Sequence, residues 1–283
     1  MTAVRATNDT HTSGVRVVLS KVPEATAAFW IIKVLTTGMG EVVADDFMER
    51  VGIPLTTALA GLLMAAAFVW QFRQTRYKAW PYWTAAAMVS VFGTTLGDGP
   101  RRGLGLSFVQ TSIAFGVIVA VVLGVWYAVE RTLSIHSITT RRREAFYWTT
   151  VMSTFALGTA VGDMFTSFGS GFLSSAFDFA VAMGLAYLAY RYLHVNSVFA
   201  FWFAYILTRP LGASLADWSW VPKPFGAGLG KGAAALLTTA AFLLFLTWMA
   251  ATRNGEPELT HGVESRRGLA MTRGRLVRGQ ETT

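Results

Sequence analysis

Four aspartates recur at equivalent positions along the chain, and their spacing predicts a site for a cation. Each stands 15 residues after a Trp and five residues after a Gly. An oxygen-bearing side chain lies one helical turn before three of them, on the same helical face. These candidate ligands or proton carriers are Asp45, Asp98, Asp163 and Asp217, with Glu41, Thr94 and Thr159. Because the set offers oxygen without sulfur or imidazole, it suits hard cations such as H⁺, Na⁺, K⁺, Mg²⁺, Ca²⁺ or Mn²⁺.

The same spacing indicates an internal repeat. An aromatic–Trp pair precedes each aspartate, and a Gly or Ala stands directly before it. The pairs are Phe29-Trp30, Tyr82-Trp83, Tyr147-Trp148 and Phe201-Trp202. Four matches at identical offsets predict four repeats, at about 25–72, 80–130, 145–192 and 198–251. The longer spacing between the second and third Trp suggests two four-helix halves.

The elements that carry these residues are apolar stretches long enough to cross a bilayer. The chain has 283 residues, of which 53% are hydrophobic and 14% charged, with a mean hydropathy of +0.44. This composition excludes an ordinary water-soluble globule. Eight stretches approach the roughly 20 residues that a membrane helix needs: Ala25 to Ala44, Pro54 to Trp70, Trp80 to Gly97, Leu104 to Val129, Ala145 to Gly162, Phe172 to Tyr190, Val198 to Ala216 and Ala233 to Ala251.

The predicted fold is therefore an all-α integral membrane protein with eight transmembrane helices, built from four parallel two-helix repeats. Residues 21–251 form the transmembrane domain. Residues 1–20 and 252–283 are predicted to be mobile tails, the second of them basic, because neither carries a periodic apolar face. The polar start of the chain also lacks the apolar core of a cleavable signal peptide.

The distribution of basic residues predicts the orientation. The tails and the even-numbered connections contain 17 of the 24 Lys and Arg residues, whereas the opposite connections contain five. The positive-inside rule then places both termini in the cytoplasm. The same distribution explains the net charge of +8 without a nucleic-acid partner, which would need a concentrated basic face.

The depth of the aspartates leaves two interpretations open. If each Trp lies at the cytoplasmic interface, an aspartate 15 residues later lies roughly 22 Å across the membrane. A carboxylate in hydrocarbon costs about 2.5–3.5 kcal/mol, so four of them there would need compensation. Alternatively, each helix ends at its aspartate and the side chain reaches water.

The glycines of the repeats have a packing interpretation that needs no ligand. Small residues four positions apart let helix backbones approach closely. The glycines assigned to helix packing are Gly40, Gly93, Gly97, Gly158, Gly162 and Gly212.

Three charges lie deeper in the predicted spans. Asp178 and Arg209 stand 16 residues before and 15 residues after His194, so antiparallel neighbours would place them at matching depth. We predict a buried ion pair between them, because an unpaired charge there would be costly. Lys33 is only three residues from Trp30, and we expect its ammonium group to reach the interface.

Signatures of catalysis and cofactors are weak. The chain has no cysteine, and its four histidines lie in tails or near span ends, which disfavours haem and thiolate metal sites. Gly97-Asp98 and Gly162-Asp163 lack the first Gly of the Gly-x-Gly-Asp element of intramembrane proteases. We therefore expect no enzymatic activity and no cofactor. The sequence leaves open whether the protein binds an inorganic cation.

Several segments together resemble a family of bacterial proteins usually called uncharacterised membrane-anchored proteins. They are Lys21 to Glu24, Phe29 to Lys33, Gly93 to Asp98, Glu144 to Trp148 and Leu207 to Ala213. The resemblance covers about Lys21 to Ala251 and implies a location in the bacterial inner membrane. It implies no substrate.

The leading functional prediction is transport or permeation of a small inorganic cation. The alternative is a membrane scaffold or assembly protein that binds partner helices through small-xxx-small faces. The expected partners are the lipid bilayer and the cation. The sequence leaves open whether the protein forms a homo-oligomer. A transporter predicts that most of the four aspartates face a shared interior cavity, whereas a scaffold predicts them dispersed or in water.

Overall fold

The computed structural model describes residues 20–257, except the side chains of residues 99, 100, 102, 103, 169 and 170. The predicted tails lie outside this range, apart from Ser20 and residues 252–257. Within it the fold is all-helical, with no strand. Eight α-helices follow one another: α1 Ala27–Val51, α2 Ile53–Phe72, α3 Ala79–Leu104, α4 Phe108–Glu130, α5 Arg141–Phe165, α6 Phe172–Tyr192, α7 Ser197–Trp220 and α8 Lys231–Thr252. A 3-10 turn, Ile135–Ser137, precedes α5, and a π-helical turn, Thr166–Ser170, follows it.

Side-chain caps mark the N-terminal ends of α1, α5 and α7. The Thr26 hydroxyl accepts a hydrogen bond from the amide of Phe29 at the start of α1, and Thr140 caps α5 in the same way. Asn196 caps α7. These caps satisfy amide groups that have no partner within the helix. They define where three of the four odd-numbered helices begin.

The odd-numbered helices extend beyond the predicted apolar stretches and past their aspartates. α1 continues for six residues after Asp45, and α3 continues for six after Asp98. α5 and α7 continue for two and three residues after Asp163 and Asp217. The aspartates therefore lie within helices and do not mark helix ends.

The four odd-numbered helices close an inner ring. α1 packs against α3, α3 against α5, α5 against α7, and α7 against α1. Each even-numbered helix lies outside the ring, mainly on the next odd-numbered helix: α2 on α3, α4 on α5, α6 on α7, and α8 on α1. The longer connection between α4 and α5 therefore does not separate the helices into two bundles.

Six of the eight helices are long and apolar enough to cross a bilayer, which indicates a multi-pass membrane protein. The two others, α3 and α5, belong to the inner ring. Several of their polar side chains, among them Ser90, Thr94, Thr150 and Thr154, are buried within the protein. Even-numbered helices carry most of the large exposed apolar side chains, as expected for a layer facing lipid.

Glycines bring the ring helices into close contact. At the glycine five residues before each repeated aspartate, an added Cβ atom would lie 1.9–2.8 Å from a side chain of the next ring helix. The contacts, glycine first, are Gly40 with Ser90, Gly93 with Phe155, Gly158 with Arg209 and Gly212 with Thr37. Each partner stands seven residues after the Trp of its own repeat. Gly97 and Gly162 similarly face Thr159 and Pro210. These glycines therefore have a packing role around the ring.

Candidate functional site

The four repeated aspartates come together at one end of the inner ring. The side chains of Asp45, Asp98, Asp163 and Asp217 line a cavity of about 320 Å³, together with Glu41. Each aspartate comes from a different ring helix, near that helix's C-terminal end. We call these five residues the acid cluster.

Three members of the acid cluster approach closely enough to bind one ion. Glu41, Asp45 and Asp217 each offer a carboxylate oxygen, and these oxygens all lie within 4.8 Å of one another. Glu41 is buried, and the two aspartates are half-buried. Hard cations such as Mg²⁺ and Ca²⁺ bind carboxylate oxygens at about 2.0–2.6 Å. The geometry can therefore accommodate a single hard cation between α1 and α7.

The two other aspartates line the same cavity but do not belong to this group of three. Asp98 is buried, and its carboxylate lies 3.9 Å from Arg101, one turn along α3. Asp163 is half-buried in the same cavity. Asp217 accepts a hydrogen bond of 3.2 Å from the indole of Trp220, which orients one of its oxygens.

The predicted threonine ligands do not line the cavity. Thr94 donates a hydrogen bond of 3.0 Å to Glu41 and is fully buried beneath the acid cluster. Thr159 donates to the carbonyl of Phe155 on its own helix and packs against Gly97. Thr94 therefore orients a member of the cluster, whereas Thr159 has a packing role.

Arg209 forms an ion pair with Glu41, so the predicted pair with Asp178 is wrong. The Arg209 Nη2 atom donates to the Glu41 carboxylate and to Thr94 Oγ1, the latter at 2.8 Å. All three side chains are buried, with Arg209 only 1% exposed. Asp178 lies exposed on α6, in the outer layer. An argument from matching depth does not determine which face of a helix turns inward.

The comparison with known protein families rests on the repeats. Residues 28–77, 81–132 and 200–254 match a family described as Repeat of Unknown Function (DUF347). Together these segments cover more than half of the chain. The chain belongs to the DUF347 repeat family. No curated protein and no solved structure matches it.

The matched DUF347 repeats correspond to the first, second and fourth predicted repeats. Each contains an aromatic–Trp pair and its aspartate, on an odd-numbered helix followed by the next even-numbered one. The predicted third repeat, at 145–192, lies outside the matched segments. Its helices α5 and α6 nevertheless occupy places in the ring and the outer layer.

The four aromatic–Trp pairs form a collar at the opposite end of the ring from the acid cluster. Rings of neighbouring ring helices contact each other with centroids 5.3–6.0 Å apart. The contacts are Phe29 with Trp83, Tyr82 with Trp148, Tyr147 with Trp202 and Phe201 with Phe29. Trp83, Trp148 and Trp202 are buried in this collar, so they do not lie exposed at a membrane interface. Because all four pairs meet, the four ring helices run parallel.

A buried polar network lies next to the collar. Lys21 Nζ forms an ion pair of 2.7 Å with Glu144, and Gln71 Nε2 donates to the same carboxylate at 2.9 Å. These residues connect the segment before α1 with the start of α5 and the end of α2. Tyr77, in the connection after α2, accepts a hydrogen bond from Trp83, and burial raises the pKa of its phenol. Buried side chains of this network and of the collar therefore lie side by side at this end of the ring.

Lys33 lies inside the ring and does not reach the interface as predicted. Its side chain is 1% exposed, with Nζ 3.8 Å from the Phe155 ring centroid and 4.3 Å from the Tyr205 centroid. Within the described residues, Nζ has no hydrogen-bond partner. The signal for an internal role was present in the sequence. The aligned positions of the other repeats hold Ala86, Val151 and Tyr205, so a charge at Lys33 departs from the pattern.

Proposed function

We propose that the protein transports a small hard inorganic cation, with the acid cluster as its binding site. One observation carries this proposal: carboxylate oxygens of Glu41, Asp45 and Asp217 lie within 4.8 Å of one another at one end of a closed helix ring. Carboxylates placed this way repel one another, and a bound cation would offset that repulsion.

The chemistry of the cluster limits the class of ion. Its ligand atoms are carboxylate oxygens, and the chain offers no thiolate ligand because it has no cysteine. Candidate ions are H⁺, Na⁺, K⁺ and divalent ions such as Mn²⁺ or Mg²⁺. The three neighbouring carboxylates favour a divalent ion over a monovalent one, because two positive charges neutralise more of the carboxylates' negative charge.

We extend the proposal to topology. All eight helices would cross the membrane as four parallel two-helix repeats, with α3 and α5 shielded from lipid by the outer layer. The protein would lie in the inner membrane of a bacterial cell. Both of its termini would lie in the cytoplasm. The acid cavity would then face outward and the closed collar would face the cytoplasm. The charge distribution of the connections supports this orientation.

The arrangement of the two ends supports a transporter with alternating conformations over a static pore. The Arg209–Glu41 ion pair occupies the interior of the ring, and the aromatic collar packs the far end with buried rings. An ion entering the cavity would not pass through the ring in this conformation. Release to the other side would therefore need rearrangement at the collar.

The alternative, a scaffold that binds partner helices, has less support. It would use the small-xxx-small faces for partners outside the chain. The glycines of those faces instead pack against neighbouring helices of the same ring. The inward convergence of the aspartates also favours the transporter over the scaffold.

Cation binding to the purified chain in detergent tests the proposal. We expect titration with Mn²⁺ to show a saturable site that is weakened at least about tenfold in Asp45→Asn with Asp217→Asn, because two ligand charges are lost. The matched control is Asp178→Asn, because Asp178 is an acidic residue on the outer layer. This variant should bind Mn²⁺ like the native chain. Equal binding by all three proteins would reject the acid cluster as the site.

A further inference from the structure

A second cavity, larger than the one at the acid cluster, lies at the collar end of the molecule. Its volume is about 700 Å³. Its wall comes from the segment before α1 and the start of α1, from the connection between α4 and α5, and from α6 and α7. Cavities of about 300–1,000 Å³ are typical of sites for small organic molecules. The size of this cavity therefore suits an organic ligand.

Aromatic rings from three helices line this cavity. Trp30 of α1 and Phe201 of α7 are half-buried, and their ring centroids lie 5.6 Å apart. Tyr187 and Tyr190, one turn apart on α6, are exposed on the outer layer. The electron-rich faces of such rings attract a positive charge, and the rings also contact apolar groups. Because α6 lies in the outer layer, this wall of the cavity borders the lipid-facing surface.

The ionisable groups of the wall favour a cation over an anion. Glu24, half-buried just before α1, contributes a carboxylate, and His136 is the other ionisable group apart from the tyrosines. No Lys or Arg belongs to the wall, as far as the described residues show. The connection between α2 and α3, at the same end, contains by contrast Arg73, Arg76 and Lys78. The wall therefore combines a carboxylate with aromatic rings, which are the features that bind organic cations.

We propose that this cavity binds a lipophilic organic cation, of the class of quaternary ammonium and phosphonium compounds. The aromatic rings would contact the organic groups and the charge of the ligand, and Glu24 would attract the same charge. A small inorganic cation prefers several oxygen ligands, which the acid cluster offers and this largely apolar wall does not. The proposed site therefore differs from the acid cluster in place and in ligand class.

A lipid acyl chain is the competing occupant of an apolar cavity that borders lipid. Such a chain carries no charge for Glu24 to attract, and it fills the cavity through apolar contact alone. A cation site predicts instead that binding depends on the sign of the ligand's charge. Two probes of similar shape and opposite charge therefore separate the two occupants.

The test measures binding of tetraphenylphosphonium to the native full chain in detergent, by equilibrium dialysis against the same detergent without protein. Tetraphenylborate, an anion of similar size and shape, is the matched probe. We expect saturable binding of the phosphonium and at least about tenfold weaker binding of the borate, because Glu24 attracts the first and repels the second. Equal affinity for both ions, or no saturable binding of the phosphonium, would overturn the proposal.

Variants then locate the phosphonium in this cavity. Glu24→Gln should bind it about tenfold more weakly, because the carboxylate charge is lost. Glu256→Gln is the matched control, since Glu256 is an exposed acid that lines a different cavity at the same end. Tyr187→Leu, which keeps an apolar side chain without the ring, should weaken binding about threefold. Its control is Tyr192→Leu, because Tyr192 is exposed on α6 and stands outside the described wall.

Melting temperatures of the same samples show which variants are folded. If Glu24→Gln does not fold, the Tyr187 and Tyr192 pair on the exposed face of α6 decides the location. Equal affinity in a folded variant and its matched control would overturn the proposal. The result is independent of the proposed inorganic cation transport, because Mn²⁺ binding at the acid cluster is measured separately and uses other residues.

Discussion

Gly158 of α5 lies directly against the side chain of Arg209 of α7. A Cβ atom at Gly158 would be 2.5 Å from both Cβ and Cγ of Arg209, closer than real atoms approach. The absence of a side chain at this position lets Arg209 cross the interface and reach Glu41 and Thr94. A packing glycine and the ion pair next to the acid cluster are therefore coupled.

This contact predicts that Gly158→Ala displaces Arg209. We expect a loss of about 1–3 kcal/mol in stability, the usual range for overpacking, and a lower melting temperature. Gly184→Ala is the control, because nothing lies within 4 Å of its added Cβ atom. That variant should be neutral or more stable by about 0.5–1 kcal/mol, since alanine is the better helix former. Equal melting temperatures for the two variants would disprove the contact.

The Arg209–Glu41 pair predicts energetic coupling between these two residues. Removing one partner leaves a buried charge and is expected to cost about 3–5 kcal/mol. Glu41→Gln with Arg209→Gln should therefore be less damaging than the sum of the single changes, by about 0.5–3 kcal/mol. A thermal-stability cycle measures this coupling. Coupling of Arg209 with Asp178, and additivity with Glu41, would contradict the structure.

The sequence could predict the common level of the aspartates along the helix ring but not the rotation of each helix about its axis. A fixed offset from Trp to Asp converts to a fixed height because an α-helix rises about 1.5 Å per residue. The aspartates do line one cavity. The partner of Arg209 depends on which faces of α6 and α7 turn inward. The number of residues between Asp178 and Arg209 carries no information about those faces. Asp178 consequently lies on the outer layer, and Glu41 takes its place.

The collar also shows that sequence spacing does not reveal which side chains are buried between helices. A Trp near a span end is typical of an interfacial belt. In this chain the repeats place an aromatic residue beside each Trp, and the pairs fill the ring where four helices meet. The paired aromatics were visible in the sequence, but their burial depends on ring closure, which no single repeat encodes. Lys33 is buried for the same reason.

The Lys21–Glu144 pair predicts that the collar end depends on one buried carboxylate. We expect Glu144→Gln to lower stability by about 3–5 kcal/mol, because the Lys21 ammonium, only 7% exposed, would lose its counter-charge. Arg142→Met is the comparison, since Arg142 is 69% exposed in its pair with Glu130. Exposed ion pairs contribute little, so its melting temperature should stay close to that of the native chain. Equal loss in both variants would show that Glu144 has no special role.

The proposed orientation predicts a pattern of labelling in intact cells. Because the chain has no cysteine, single cysteines introduce the only thiols. A membrane-impermeant thiol reagent should label Lys223→Cys, in the connection after α7, and should not label Thr139→Cys, just before α5. Permeabilised cells, in which both should react, provide the control. The reverse pattern in intact cells would invert the proposed topology.

Cation flux into proteoliposomes tests the central claim most directly. Native protein, Asp45→Asn with Asp217→Asn, and Asp178→Asn are reconstituted at equal density, and Mn²⁺ entry is followed with an internal indicator. The account predicts entry above that of empty vesicles for the native protein and for Asp178→Asn. The Asp45 and Asp217 double variant should be reduced at least about tenfold, as expected when two ligand charges are removed. Equal entry by all three proteins, or none above empty vesicles, would contradict transport of this ion by the acid cluster.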